Sequence, residues 1–273
     1  MSYKDLLVVL SPEANAVGAY ASSVASVFGA RTKAACIVVD PVVPSYVIPE
    51  MPSEILQNAR AAARADANKA LDDYKATAIG AGVETRGVVV QGMLDTAAAE
   101  LTRMARYADL AIIEQPQPEA SNGEPIVLET VLFGSGRPLL IVPYIQRKPI
   151  SLDRVIVAWD ESATAARAVG AAMPMLERAK MVEVVTVEAG GTGGRESGGH
   201  LASYLEGHGL RAEGKWLTSV GNVADTILSH AADSGADLVV MGGYGHSRLR
   251  EFILGGATRG MLATMTVPVL MMH

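Results

Sequence analysis

The 273-residue chain has one cysteine, no excess of positive charge and no long apolar run, and each shortage removes a class of protein. Cys36 has no partner for an internal disulfide; within its apolar run it reads as a small buried hydrophobe. A net charge of -6 and a pI near 5.4 argue against a dedicated nucleic-acid surface, because phosphate backbones select basic patches. No stretch approaches the 18 or so apolar residues of a spanning helix, so no membrane partner is expected. Met1 to Leu7 runs directly into an apolar strand-like segment with no signal-peptide layout, which gives a cytoplasmic expectation. No Ser-His-Asp, Cys-His or paired-carboxylate arrangement is legible, and no lysine follows a glycine loop as in a Walker motif. No catalytic residue is therefore named. His200 and His208 have no cysteine or carboxylate cluster beside them and read as solvent-facing side chains rather than metal ligands.

What the chain does have is a repeat. With 49% hydrophobic and 19% charged residues it is globular, and its length suits two domains with a core each. Leu6–Leu10 matches Val155–Trp159, Ala34–Val39 matches Val182–Val187, and Val83–Val90 matches Leu210–Leu217. Tyr107–Ile113 then matches Gly235–Met241, and Arg137–Val142 matches Val267–Met272. The matched Asp-to-Pro intervals, 109 to 138 and 237 to 268, differ by only two residues. Short Val/Ile/Leu runs alternating with helical stretches are the pattern of βαβ units. Five runs per half predict two similar doubly wound five-stranded parallel-sheet domains, 1–146 and 151–273, joined near Tyr144 to Leu152. A helix is expected to start at Ser53, after Pro52. In the second half the corresponding stretch, Gly190 to Gly199, reads as a flexible glycine-rich loop, either a surface linker or a lid. Met265 to Met271 reads as core or interface filling.

The second half also carries two glycine clusters around one strand-to-helix connection. Asp237-Leu-Val-Val-Met241 is an apolar strand that breaks into Gly242-Gly-Tyr-Gly245, and Gly255-Gly256 follows where a helix should begin. Glycine lets backbone N–H groups face a ligand, and a helix start adds free N–H groups and a positive dipole end. That combination makes an anion site without lysine. The alternative is that the glycines only form tight turns and let a helix approach the sheet. His246, Arg248 and Arg250 either face phosphates or belong to an exposed helix face.

The spacing Gly-x2-Gly-x9-Gly, with the five-strand repeat around it, resembles the universal stress protein family, and the likeness covers nearly the whole chain as a tandem pair. The resemblance implies a Rossmann-like sheet of order 3-2-1-4-5 in each half and an adenine-nucleotide site, most simply for ATP, in the second. It carries Asp160, in a turn similar to the family's Val-Asp-Gly-Ser, and Val187 at the end of strand two to the adenosine part. Met241, Gly242 and Gly245 would flank ribose and phosphates, and Gly255, Gly256 and Ala257 would offer backbone N–H groups. Gly256 stands where the ATP-binding branch has Ser or Thr, and Thr258 is the nearest hydroxyl to compensate. Asp160 also fits a plain helix N-cap. In the first half Ser11 replaces Asp160, and Glu114-Gln115-Pro116 replaces the first glycine pair, putting a carboxylate where phosphate would lie. Phe133-Gly-Ser-Gly136 keeps a Gly-Ser near the helix position. That half is expected to be a degenerate copy. The function implied is a regulatory stress-response module; a slow ATPase and a scaffold or non-nucleotide binder are the alternatives. The last strands, Leu139–Val142 and Val269–Met272, are expected to meet in an internal pseudo-dimer, with a homodimer also open.

Overall fold

The computed structural model describes residues 2–12, 16–40, 53–117, 123–188, 194–219, 221–243 and 256–273. The first half runs β1 (Asp5–Leu10), α1 (Ala16–Phe28), β2 (Arg31–Val39), α2 (Ser53–Gly80), β3 (Thr85–Gly92), α3 (Leu94–Ala105), β4 (Leu110–Glu114), α4 (Glu124–Gly134) and β5 (Leu139–Val142). The second repeats it as β6 (Arg154–Ala158), α5 (Ala163–Leu176), β7 (Met181–Val187), α6 (Gly194–Gly207), β8 (Ala212–Leu217), α7 (Val223–Ser234), β9 (Leu238–Gly242), α8 (Gly256–Thr264) and β10 (Val269–Met272). The strands form one sheet of ten in the order β3-β2-β1-β4-β5-β10-β9-β6-β7-β8, so each half has the expected 3-2-1-4-5 order.

Strands covered by helices on both faces must bury every side chain, which is why they read as unbroken apolar runs. Val8, Ile112, Val157 and Val240 face the layer of α1, α2, α5 and α6. Their neighbours Leu7, Ile113, Ile156 and Val239 face α3, α4, α7 and α8. Both cores contain residues of both halves. Cys36 is fully buried in the first of them, and burial pushes its thiol up to about 11, so it behaves as the expected hydrophobe. Met265 and Met271 are buried in the second. No helix among the described residues is long and apolar enough to cross a membrane.

The halves join through β5 and β10, which pair antiparallel with Leu139 opposite Met271, Leu140 opposite Leu270 and Ile141 opposite Val269. In the repeat Leu139 corresponds to Val269, Leu140 to Leu270 and Ile141 to Met271. Leu139 thus meets Met271 while their counterparts, Val269 and Ile141, meet each other, the signature of an isologous twofold contact centred on Leu140 and Leu270. Because β5 and β10 run in opposite directions, the carboxyl ends of the two sets of parallel strands lie at opposite edges of the sheet.

The Ala-Asp-Leu repeat has a structural cause. Asp109 Oδ2 accepts from the Lys4 and Asp5 backbone N–H groups at 2.7 and 3.0 Å, and Asp237 Oδ2 accepts from Arg154 N at 3.0 Å. Each carboxylate anchors the start of the neighbouring central strand. In strand two the sheet register shifts the sequence match: Leu7 pairs with Lys33 and Ile156 with Glu183, so Ala34 corresponds to Val184 rather than Val182. A shift of two preserves which face each residue occupies.

One expectation fails here. Residues 194–199 are not a loop but the first turns of α6, and residues 189–193 lie outside the described residues. The glycines give proximity rather than freedom. A Cβ on Gly198 would sit 2.9 Å from Thr186 Oγ1, and one on Gly214 would sit 3.0 Å from Gly199 N and 3.1 Å from the Gly198 carbonyl carbon. Backbone lies on backbone where α6 crosses β8. The expected helix from Ser53 is present as the 28-residue α2.

Lys33 and its counterpart Glu183 differ in charge and in burial. Lys33 is exposed, whereas Glu183 is completely buried at the amino-end side of β7. Glu183 is paired with Arg154, bonded to His230 Nε2 at 2.6 Å, and lies 3.8 Å from Lys215 Nζ. Burial opposes its ionisation, but the hydrogen bonds from His230 and Arg154 and the charge of Lys215 outweigh that, holding its carboxyl below the usual carboxylate range.

Two consequences are testable. Leu140→Ala and Leu270→Ala should each cost about 2–5 kcal/mol, and because the residues face each other the double variant should depart from additivity by at least ~0.5 kcal/mol in urea unfolding; strict additivity would mean that the pair does not act as one contact. Glu183→Ala should cost about 3 kcal/mol near neutral pH, the low end of the range, since Arg154 and Lys215 can return to water. A carboxyl depressed in the folded state contributes stability above its unfolded pKa and loses it as pH falls through the folded value. The gap between wild type and Glu183→Ala should therefore close on acidification; a gap independent of pH would contradict the assignment.

Candidate functional site

In an open parallel sheet a crevice forms where neighbouring strands send their connections to opposite faces. In the second half that place lies between β6 and β9. β6 sits between β7 and β9, and Ala158 pairs with Met241, so Trp159-Asp160 and Gly242-Gly243 leave the sheet side by side. Val187 ends β7, one strand further along.

Asp160 is exposed, and its Oδ1 accepts from Ser162 N at 3.0 Å. It is not the helix cap. Ser162 is, with its Oγ accepting from Ala165 N at 3.1 Å and lying 2.9 Å from Thr164 Oγ1. The Asp-x-Ser spacing before an alanine-rich helix carried that cap signal. Between the two, Glu161 has φ of 61°, the only left-handed residue other than glycine among the described residues. It occupies the glycine position of the family's Val-Asp-Gly-Ser turn, and a side chain there costs roughly 1–2 kcal/mol.

The glycines divide. Gly245 and Gly255 lie outside the described residues, as do His246, Arg248 and Arg250. Gly242 does not have positive φ. A Cβ on it would lie 2.7 Å from both Ala165 N and Thr164 Oγ1, so its missing side chain makes room for the first turn of α5. Gly243 brings its backbone against the other half, where a Cβ would stand 3.2 Å from Leu132 Cδ2, and its N–H donates to Met272 O at 2.9 Å. Gly256 opens α8 and is exposed, and a Cβ on it would meet no other element within 4 Å among the described residues. Ala257 is half-buried. Thr258 is only 4% exposed, so its hydroxyl is turned into the protein and not toward the open side of the helix start. Met241 is buried at 6%. Asp160, Val187, Met241 and Gly242 are thus brought to one end of β6, β7 and β9, whereas Gly256 stands at the start of α8.

The corresponding place in the first half is filled from within. Glu114, the counterpart of Gly242, ends β4, and its Oε2 accepts from the Ala16 and Val17 backbone N–H groups at 3.1 Å each. Ala16 corresponds to Ala165, which Ser162 caps in the second half. A carboxylate from across the sheet therefore occupies the positive end of α1, the place an external anion would take. Burial pushes Glu114 above the usual carboxylate range, and the two N–H bonds partly offset this. Gln115, the counterpart of Gly243, donates through Nε2 to Leu262 O at 2.8 Å; Leu262 and Leu132 are themselves counterparts. Gly134-Ser135-Gly136, expected near a helix start, ends α4 instead: Ser135 is its C-cap and Gly136 follows with φ of 68°. His200 is exposed on α6 and His208 in the turn that follows it, with His208 against Tyr204 at 4.6 Å between centroids. No cluster of three potential metal ligands occurs among the described residues.

Comparison with known proteins agrees with this architecture. The sequence pattern of the Universal stress protein family matches residues 151–273. Universal stress protein Slr1230 of Synechocystis sp. (strain ATCC 27184 / PCC 6803 / Kazusa) is 35% identical over 72 residues, which is 26% of this chain and 24% of that protein. The match thus spans about a quarter of that relative's length. Among solved structures, a universal stress protein from Archaeoglobus fulgidus DSM 4304 aligns over 97% of this chain and 95% of its own at 17% identity, with a TM-score of 0.72. The functionally unknown protein PA1789 from Pseudomonas aeruginosa PAO1 aligns over 99% and 92% at 14% identity, with a TM-score of 0.57. At such identities these two speak for the fold alone, and they extend it over both halves. Residues 151–273 thus form a domain of the universal stress protein family, and the first half is built on the same fold.

Proposed function

We propose that the chain is a cytoplasmic regulatory stress protein of two units, 1–146 and 151–273, and that the second binds an adenine nucleotide, most simply ATP. The contrast at one position carries this reading. Where the first half plants Glu114 on the N-terminus of α1, the second has Gly242 at the same place, so no carboxylate from that position closes its crevice to phosphate. Exposed Asp160 can accept from a ribose or base, and a helix start such as that of α8 at Gly256 offers backbone N–H groups to phosphates. The two units would act as an internal pseudo-dimer through β5 and β10, and a homodimer of whole chains would repeat such a contact.

One observation favours the rival reading, a scaffold or a binder of some other ligand. Gly242 and Gly243 are each used by packing, against α5 and Leu132, and so need no ligand to explain them. Titration of ATP and ADP into the full chain decides between the two. Nucleotide at about 100 times its Kd should add roughly 2.7 kcal/mol to unfolding stability. Asp160→Ala should weaken binding with little loss of stability, because that side chain is exposed. Gly256→Ser restores the family's hydroxyl at a position with room for it, and one added hydrogen bond should tighten binding by about 0.5–1.5 kcal/mol. No heat or thermal shift at millimolar nucleotide in wild type and Gly256→Ser alike would leave the scaffold reading. Gly242→Val cannot serve as the probe, because its side chain would collide with the α5 backbone and unfold the region whether or not nucleotide binds.

A further inference from the structure

The amino ends of β1, β2 and β3 and the C-terminal end of α3 enclose a cavity of about 330 Å³, above the lower bound of about 300 Å³ for small-molecule sites. The sheet register sets its floor. Lys33 of β2 pairs with Leu7 of β1 and with Arg86 of β3, so the three side chains leave the sheet on the face that α3 covers. Met104 adds apolar wall from α3, and the Tyr107 ring, 79% exposed, stands beside it.

The equivalent place in the second half is filled from within. Glu183, the counterpart of Lys33, is buried there with Arg154, Lys215 and His230 gathered on it. The first half reverses the charges: Lys33 stands for Glu183, Asp5 for Arg154 and Arg86 for Glu213. Around its cavity Arg31 is held by Asp5, and Arg103 by Glu100. Arg86 lies 3.9 Å from Glu84, beyond a hydrogen bond. The Lys33 ammonium has no ion pair among the described residues and reaches Glu100 through charge alone. These four cations outnumber Asp5, Glu84 and Glu100, and Lys33 and Arg86 keep their donors for a group from outside. Phosphate suits that pair, because a guanidinium grips it with a two-pronged fork and an ammonium adds a point charge. Leu7, Met104 and the Tyr107 face reward a flat apolar body, since aromatic rings stack with an offset.

We propose that this cavity binds a small phosphate monoester with an aromatic body, its phosphate between Lys33 and Arg86 and its ring against Tyr107 and Met104. An external anion would then do in the first half what Glu183 does in the second. The cavity and the crevice at β6 and β9 have β4, β5 and β10 between them in the sheet, so the inference does not rest on nucleotide binding in the second half.

The test is calorimetric titration of the full chain with phenyl phosphate, inorganic phosphate and benzyl alcohol. Phenyl phosphate should bind saturably at this site, inorganic phosphate roughly tenfold more weakly, and the alcohol not measurably. Lys33→Glu installs the charge that the second half has there and should abolish the binding; Arg86→Gln should weaken it roughly tenfold. Both side chains are exposed, so thermal unfolding should change little in either variant. Should Lys33→Glu fail to fold by circular dichroism, Arg86→Gln alone decides. Phenyl phosphate bound at the second-half crevice instead would survive both substitutions, and affinity unchanged in a folded variant overturns the proposal. So would equal affinities for phenyl phosphate and either of the other probes, or no saturable binding of phenyl phosphate at millimolar concentration.

Discussion

The antiparallel contact between β5 and β10 is the constraint on which the rest of the molecule depends. Each half, taken alone, would end in a four-residue strand, buried throughout in β5 and at three positions in β10, with one edge unpaired, a liability in water. Pairing them closes both edges at once and makes the two cores continuous across the seam. The twofold relation about Leu140 and Leu270 follows, because two copies of one unit meeting through the same strand can only do so isologously. It also sends the two switch-point crevices to opposite edges, so a ligand at one cannot touch a ligand at the other. Coupling between them would have to pass through the seam, where Gly243 meets Leu132 and Gln115 meets Leu262.

The seam also explains why the halves diverge where they do. At the residue after β4 and β9 the same backbone bond is made in both, Gln115 N to Val142 O and Gly243 N to Met272 O. The side chains then differ. A glutamine reaches across to a carbonyl in one direction, and a glycine lets a leucine come close in the other. One residue earlier the pattern repeats, with Glu114 bonding the start of α1 and Gly242 admitting the start of α5. Both are valid ways to finish a helix N-terminus, by a carboxylate from afar or by a local serine cap. Only the second leaves the helix start without a carboxylate bonded to it among the described residues.

Much of this was legible in the order of residues. The repeat and the parallel sheet rest on apolar runs and their spacing, which a buried parallel sheet imposes strongly, whereas the strand order and the β5–β10 meeting were expected from the family resemblance. What was not legible depends on distance. Gly198 and Gly199 read as a flexible loop because a glycine run without apolar spacing has no periodicity, and only contact with Gly214 shows that they serve close packing. Glu183 carried no sequence signal of its burial; its partners Arg154, Lys215 and His230 come from three other elements, at sequence separations no local rule joins. Gly242 matched a ligand motif and is also a packing residue, and sequence cannot separate the two. Asp160 was weighed as a helix cap, yet the cap two residues on was passed over, though its signal was present.

Glu161 bears on what the second crevice is for. A left-handed turn between Asp160 and Ser162 is held at a position where glycine would be free of strain, and the residue present is neither glycine nor asparagine. The turn persists because both sides pin it: Ser162 N is bonded to Asp160, and Ser162 Oγ is committed to the cap of α5. The geometry that aims Asp160 at the end of the sheet is thus over-determined by its neighbours, at a cost that a relaxed turn would avoid. Strain retained at the mouth of one crevice, while its counterpart in the other half is Pro12 beside a carboxylate-filled helix end, fits a second half kept ready for an external group and a first half that supplies its own.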